Sequence, residues 1–124
     1  MLIVDDQPEV LRVFARALEI DGCDTQTAPS AQAAMELINE AAPDAILIDL
    51  KMPFVNGIGL LYRLRTMHPH LPVAIVTGLP VLDPQTTQEI QELRADVAFK
   101  PMTIAEVQSV ARRLLARGAA GANS

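Results

Sequence analysis

Short, unbroken apolar runs alternate along this chain with longer stretches whose apolar residues recur every three or four positions. The runs are Leu2-Ile3-Val4, Ala45-Ile46-Leu47-Ile48, Pro72–Val76 and Val97–Phe99, with a weaker one near Asp24–Thr27. Runs apolar on both faces predict strands buried in a parallel sheet. Between them, Leu11, Phe14 and Leu18 predict a first helix that stops at Asp21-Gly22. Ser30 can cap a second, whose apolar face carries Ala34, Leu37, Ile38 and Ala41. A loop over Lys51–Gly57 leads to a third through Leu61 and Leu64, closed by the turn His68-Pro69-His70. Asp83-Pro84 starts a fourth, since aspartate caps well and proline suits the first helical position. That helix is polar, with only Ile90 and Leu93 as anchors, and is expected to be the least firmly packed. Thr103 and Glu106 form a capping box for the fifth, with Ile104, Val107, Ala111 and Leu114 as its buried stripe.

Five strands alternating with five helices predict an α/β fold with a parallel sheet. Right-handed crossovers and helices on both faces leave the doubly wound, flavodoxin-like order 2-1-3-4-5 as the most economical arrangement. One domain accounts for residues 1–117. The small residues from 118 to 124 read as a flexible tail or the start of a linker.

In that order the first and third strands are neighbours, and each ends in acid: Asp5-Asp6 and Asp49. The fourth and fifth strands bring Thr77 and Lys100 to the same carboxyl edge, where ligands bind in open α/β sheets. Each residue alone has a bland reading. Asp5-Asp6 can cap ahead of Pro8, Asp49 can turn a loop, Thr77-Gly78 can end a strand, and Lys100-Pro101 can be a solvated turn. All five at the ends of four strands are hard to obtain by chance. Three crowded carboxylates oppose one another's ionisation unless a cation joins them. A hard divalent cation such as Mg²⁺ takes carboxylate oxygens and waters. Asp6 and Asp49 can supply two oxygens, and Asp5 can hold a metal-bound water. A carboxylate can also attack phosphorus, giving an acyl phosphate. Phosphoryl transfer then needs mainly positioning and charge neutralisation, which Lys100 and the Thr77 hydroxyl can add.

Composition narrows the setting. The residues are 50% hydrophobic but only 3% aromatic, so the core must be Ala, Val, Leu and Ile. A net charge of -5 argues against nucleic acid, which needs a basic face. Cys23 is alone, so no intramolecular disulfide forms, and it reads as a small hydrophobe of the second strand. No apolar run approaches the ~20 residues that span a bilayer. Met1-Leu2-Ile3-Val4-Asp5 lacks the basic start of a signal peptide. A cytoplasmic setting is the expectation. His68 and His70 read as a solvated turn, and Arg112, Arg113 and Arg117 suit the end of the last helix.

Four ordered motifs now stand out: Leu2-Ile3-Val4-Asp5-Asp6, Ile48-Asp49-Leu50-Lys51-Met52-Pro53 with Gly57, Val76-Thr77-Gly78, and Phe99-Lys100-Pro101. Together, over Leu2–Leu115, the chain resembles the receiver domain of two-component response regulators. The resemblance implies that Asp49 accepts phosphate from a histidine kinase or a histidine phosphotransfer protein. It implies Mg²⁺ (or Mn²⁺) bound by Asp6, Asp49 and the main-chain carbonyl of Lys51, with Asp5 acting through water. It makes Thr77 and Lys100 the residues that sense the phosphoryl group, and Lys100–Pro101 a candidate cis peptide. It implies a signalling switch, not an enzyme, that promotes only its own phosphorylation and dephosphorylation. Output passes to a downstream effector or a fused domain, and a phosphorylation-dependent dimer is compatible with it. One departure concerns the switch region, Val97 and Phe99. Receivers usually carry Tyr or Phe three positions before the lysine, where this chain has Val97, and the aromatic Phe99 directly precedes Lys100.

Other readings fit less well. Haloacid-dehalogenase-like phosphatases place a second Asp two residues after the nucleophile, where this chain has Lys51. Neither G-x-G-x-x-G nor G-x-x-x-x-G-K-[ST] occurs, which disfavours a nucleotide-binding module. The alternative is a non-phosphorylated, receiver-like interaction module. Such modules typically lose acids or the lysine, and all are kept here.

Overall fold

Strand β1 (Leu2–Val4) is buried on both faces, and the sheet is laid out on either side of it. The computed structural model describes residues 1–49, 57–78 and 83–122. After β1 come α1 (Pro8–Ile20), β2 (Gln26–Ala28), α2 (Ala31–Glu40), β3 (Ile46–Asp49) and α3 (Gly57–Met67). The chain continues through β4 (Val73–Thr77), α4 (Pro84–Glu92), β5 (Asp96–Phe99) and α5 (Ile104–Ala122). Every strand pair is parallel, in the order β2-β1-β3-β4-β5, so the described residues form the expected doubly wound α/β sheet.

Strand alternation divides the core into two layers. Val4, Ile46, Ile48 and Ile75 point to one face and pack with α2, α3 and Ile90 of α4. Ile3, Leu47, Ala74 and Val76 point to the other and pack with α1 and α5. Central strands with apolar residues on both faces must be covered by helices on both sides, which is why β3 has no polar residue before Asp49.

The helix ends follow the sequence closely. Ser30 Oγ accepts from the Ala33 N–H (3.1 Å), and an Asp83 carboxyl oxygen accepts from the Thr86 N–H (2.8 Å). At α5, Thr103 Oγ1 accepts from the Glu106 N–H (3.1 Å), and Glu106 Oε1 reaches back to the Thr103 N–H (3.3 Å). Gly22 follows α1 with φ +87°, a left-handed turn that favours glycine.

Several expectations shift. Strand β2 begins at Gln26, not Asp24, so Cys23 belongs to the turn after α1, where its N–H donates to the Leu18 carbonyl. Strand β3 extends to include Asp49, β4 includes Thr77, and β5 starts at Asp96. Ala41 is the exposed C-cap of α2, while Ala31 and Met35 join the buried face. Ile104 is 55% exposed instead of buried. It is the first residue of α5, and Cβ atoms tilt toward a helix's N-terminus, so its side chain overhangs the core. Val110 contributes to the stripe in its place. Finally, residues 118–122 continue α5 where small residues predict a flexible segment. A Cβ on Gly118 would meet Pro72 Cγ at 3.2 Å and the Asp44 carbonyl oxygen at 3.4 Å, so glycine lets this helix pass close to those residues.

Candidate functional site

The order β1-β3-β4-β5 brings four strand ends side by side, and the polar residues gather there. Asp5 follows β1 directly and is buried. Both of its carboxyl oxygens are engaged: Oδ1 accepts from the Gln7 N–H (2.9 Å) and Oδ2 from the Lys100 ammonium (3.1 Å). Asp49 closes β3, is also buried, and has an oxygen 3.9 Å from Lys100 Nζ. Asp6 is exposed beside them. The three aspartates each offer an oxygen within 4.8 Å of the others.

Thr77 ends β4 and is fully buried, and its carbonyl accepts from the Lys100 N–H at 2.7 Å. That bond ties the end of β4 to the residue that carries the ammonium. The Lys100–Pro101 peptide is cis, the isomer for which it was a candidate.

Electrostatics favours a further cation. Three carboxylates against one ammonium leave two negative charges, and two of the acids are shielded from water. Oxygen donors of this kind, part buried and part open to solvent, suit a hard divalent ion that keeps some of its waters. Asp5, Asp6 and Asp49 therefore fit Mg²⁺ by donor type and by spacing.

Five of the predicted site residues, Asp5, Asp6, Asp49, Thr77 and Lys100, thus stand at one edge. Lys51 lies outside the described residues. Val97 and Phe99 sit on β5, an edge strand. Val97 is half-buried against the layer that contains α4, whereas Phe99 is 49% exposed.

Two features were not read from the sequence. A largely apolar hollow of about 550 Å³ opens beside Lys100, between Val10, Val13 and Phe14 of α1 and the pair Pro101-Met102. Its signal was an extra pair of valines, Val10 and Val13, outside the Leu11–Phe14–Leu18 stripe. The other is Arg65 in the last turn of α3, whose guanidinium is turned inward onto main-chain carbonyls. Nothing in the two arginines of this amphipathic helix, Arg63 and Arg65, announces that.

The chain matches the model of the response regulator receiver domain over residues 1–112 and belongs to that family, the signalling domains of two-component systems. The transcriptional regulatory protein PrrA of Mycobacterium leprae is 31% identical over 124 residues, covering 100% of this chain and 53% of PrrA. Sporulation initiation phosphotransferase F of Bacillus subtilis is 31% identical over 116 residues, covering 93% of this chain and 92% of that protein. The solved receiver domain of NtrX from Brucella abortus superposes with a TM-score of 0.83 at 30% identity, covering 93% of this chain and 97% of that one. The chain spans about half the length of PrrA and of the similar regulator TcrX of Mycobacterium tuberculosis. Among the described residues, no helix is long and apolar enough to cross a membrane.

Proposed function

We propose that Asp49 accepts a phosphoryl group from a phosphohistidine of a histidine kinase or histidine phosphotransfer protein, and that the resulting acyl phosphate switches a partner-binding surface. The observation that carries this reading is the buried Asp49 carboxylate at the carboxyl edge, flanked by two further acids and by Lys100. Asp49 forms a P–O bond as the P–N bond breaks, and the departing imidazole takes the electron pair and then a proton. Little covalent chemistry falls to the protein beyond the nucleophile, so position and charge carry the reaction.

Asp6, Asp49 and the Lys51 carbonyl would hold Mg²⁺, with Asp5 acting through water. Bound there, the ion would neutralise charge on the phosphoryl oxygens. Lys100, already 3.9 Å from Asp49, can turn its ammonium from Asp5 to a phosphoryl oxygen. The Thr77 hydroxyl, at the end of the neighbouring strand, can donate to another. Such a chain is a switch that promotes only its own phosphorylation and hydrolysis. A kinase of this kind places its action in the cytoplasm. Its output goes to a separate effector or to a domain fused beyond the receiver.

Incubation with acetyl phosphate and Mg²⁺ tests the reading. Intact mass should rise by one phosphoryl group, hydroxylamine should remove it, and Asp49→Asn should abolish it. A label that persists in Asp49→Asn would overturn the assignment.

A further inference from the structure

Arg65 serves two helix ends at once. Its half-buried side chain donates from Nε to the Leu93 carbonyl (2.6 Å) and from Nη2 to the Arg94 carbonyl (3.2 Å). Nη1 donates to the carbonyls of Leu71 (2.5 Å) and His68 (3.3 Å). His68 and Leu71 follow the end of α3, and Leu93 and Arg94 form the end of α4. Carbonyls at such ends lack helical partners and carry the negative end of the dipole, so a guanidinium suits them without a carboxylate. Burial, with Arg94 and Arg117 nearby, holds the Arg65 pKa below the ordinary arginine value. The reciprocal contact comes from Arg94, which turns through a left-handed φ of 58° and donates to the Pro69 carbonyl (3.0 Å).

The apolar anchors of α4 lie at the same end. Ile90 is buried and Leu93 partly so, both in or just past the last turn. The preceding Gln85, Thr86, Thr87, Gln88 and Glu89 bring nothing apolar to the core. The cap at the other end, Asp83, accepts from the Thr86 N–H and hydroxyl, bonds local to the helix itself. Among the described residues, one end of α4 is therefore held by packing and by laced arginines, and the hydrogen bonds of the other, from Asp83 to Thr86, stay within its own first turn.

We infer that Arg65 is a positioning residue that pins the C-terminal end of α4, so that α4 responds to the switch by pivoting about Leu93–Arg94. The pivot rests on the phosphoacceptor reading; the pin does not. Lysine cannot replace the arginine, because a single ammonium cannot reach four separate carbonyls as a planar fork does.

Amide hydrogen exchange on the whole chain tests both parts, with Asp49 labelling followed by intact mass on the same samples. Without phosphodonor, Arg65→Gln should speed exchange at Leu93, Arg94 and Ala95 on the order of tenfold or more, the effect of losing a charged hydrogen bond. Arg65→Lys should fall between it and the wild type. Should Arg65→Gln fail to fold, Arg94→Asn, which tolerates the left-handed turn, removes the reciprocal arm and should show a smaller acceleration at the same amides. Unchanged exchange there in the folded variants overturns the pin. With acetyl phosphate and Mg²⁺, the wild type should change at Gln85–Glu89 and stay quiet at Leu93–Ala95. A labelled chain whose changes are uniform along α4, or centred on Leu93–Ala95, overturns the pivot. A chain that takes no label overturns the phosphoacceptor reading and the pivot with it, while the resting-state comparison still judges the pin.

Discussion

Lys100 stands closer to Asp5 than to Asp49: its ammonium is 3.1 Å from an Asp5 oxygen and 3.9 Å from an Asp49 oxygen. The cation is thus committed first to the acid that follows β1, within reach of the acid that ends β3. Removing it would leave two buried carboxylates facing each other. Lys100→Ala is expected to destabilise the metal-free chain by about 1–3 kcal/mol, the cost of leaving a buried partner unsatisfied. Mg²⁺ should recover much of that loss. Thermal melts with and without Mg²⁺ check it, and an equal loss in both conditions would mean that the lysine acts through packing alone.

Mg²⁺ should also stabilise the unaltered chain, because it binds the folded arrangement of Asp5, Asp6 and Asp49 and not the unfolded one. At a free concentration ~100 times Kd the gain is about 2.7 kcal/mol. Asp6 is exposed and makes no ion pair among the described residues. Asp6→Asn should therefore be neutral or stabilising without metal, by relief of repulsion, and should blunt the Mg²⁺ response. A marked loss of stability in metal-free Asp6→Asn would make this acid a structural cap.

Strand β5 should be a quiet element of the switch. Val97 is short, β-branched and half-buried, so it cannot swing as an aromatic side chain does. Phe99 shares its face but is half in solvent already, and the strand would have to shift to use it. Helix α4, with Ile90 as its only fully buried residue, is the looser partner. Beryllofluoride with Mg²⁺ is expected to move α4 amide chemical shifts more than those of Val97–Phe99. Shifts concentrated in β5 over a silent α4 would contradict this.

Two carboxylates, the partly buried Asp21 and the exposed Asp83, add a pH dependence away from the site. The Arg112 guanidinium holds Asp21 below the usual carboxylate range, and the Thr86 N–H and hydroxyl do the same for Asp83. A lowered folded-state pKa contributes stability above the unfolded pKa and loses it as pH falls through the folded one. The differences in stability between wild type and Asp21→Asn, and between wild type and Asp83→Ala, should therefore be present at neutral pH and fade below the ordinary carboxylate range. Salt should weaken the Asp21 effect, an ion pair with the exposed Arg112, far more than the Asp83 cap. Differences that persist unchanged into strong acid would exclude ionised carboxylates as the cause.

Sequence alone determined what short-range chemistry dictates. The apolar runs of β1, β3 and β4 could only be strands covered on both faces, and Ser30, Asp83 and Thr103 announced their helices through caps that act within three residues. The site was legible for the same reason, since in a parallel sheet polar residues at strand ends must meet once the strand order is known. The tertiary structure decided what depends on neighbours distant in sequence. It gave Lys100 its nearer partner, left Ile104 overhanging the core, and carried α5 past Gly118 because that glycine passes close to Pro72. It also turned Arg65 onto carbonyls up to 29 residues away. No periodicity encodes such contacts, because they arise only when the main-chain carbonyls at two separate helix ends are packed against the same side chain.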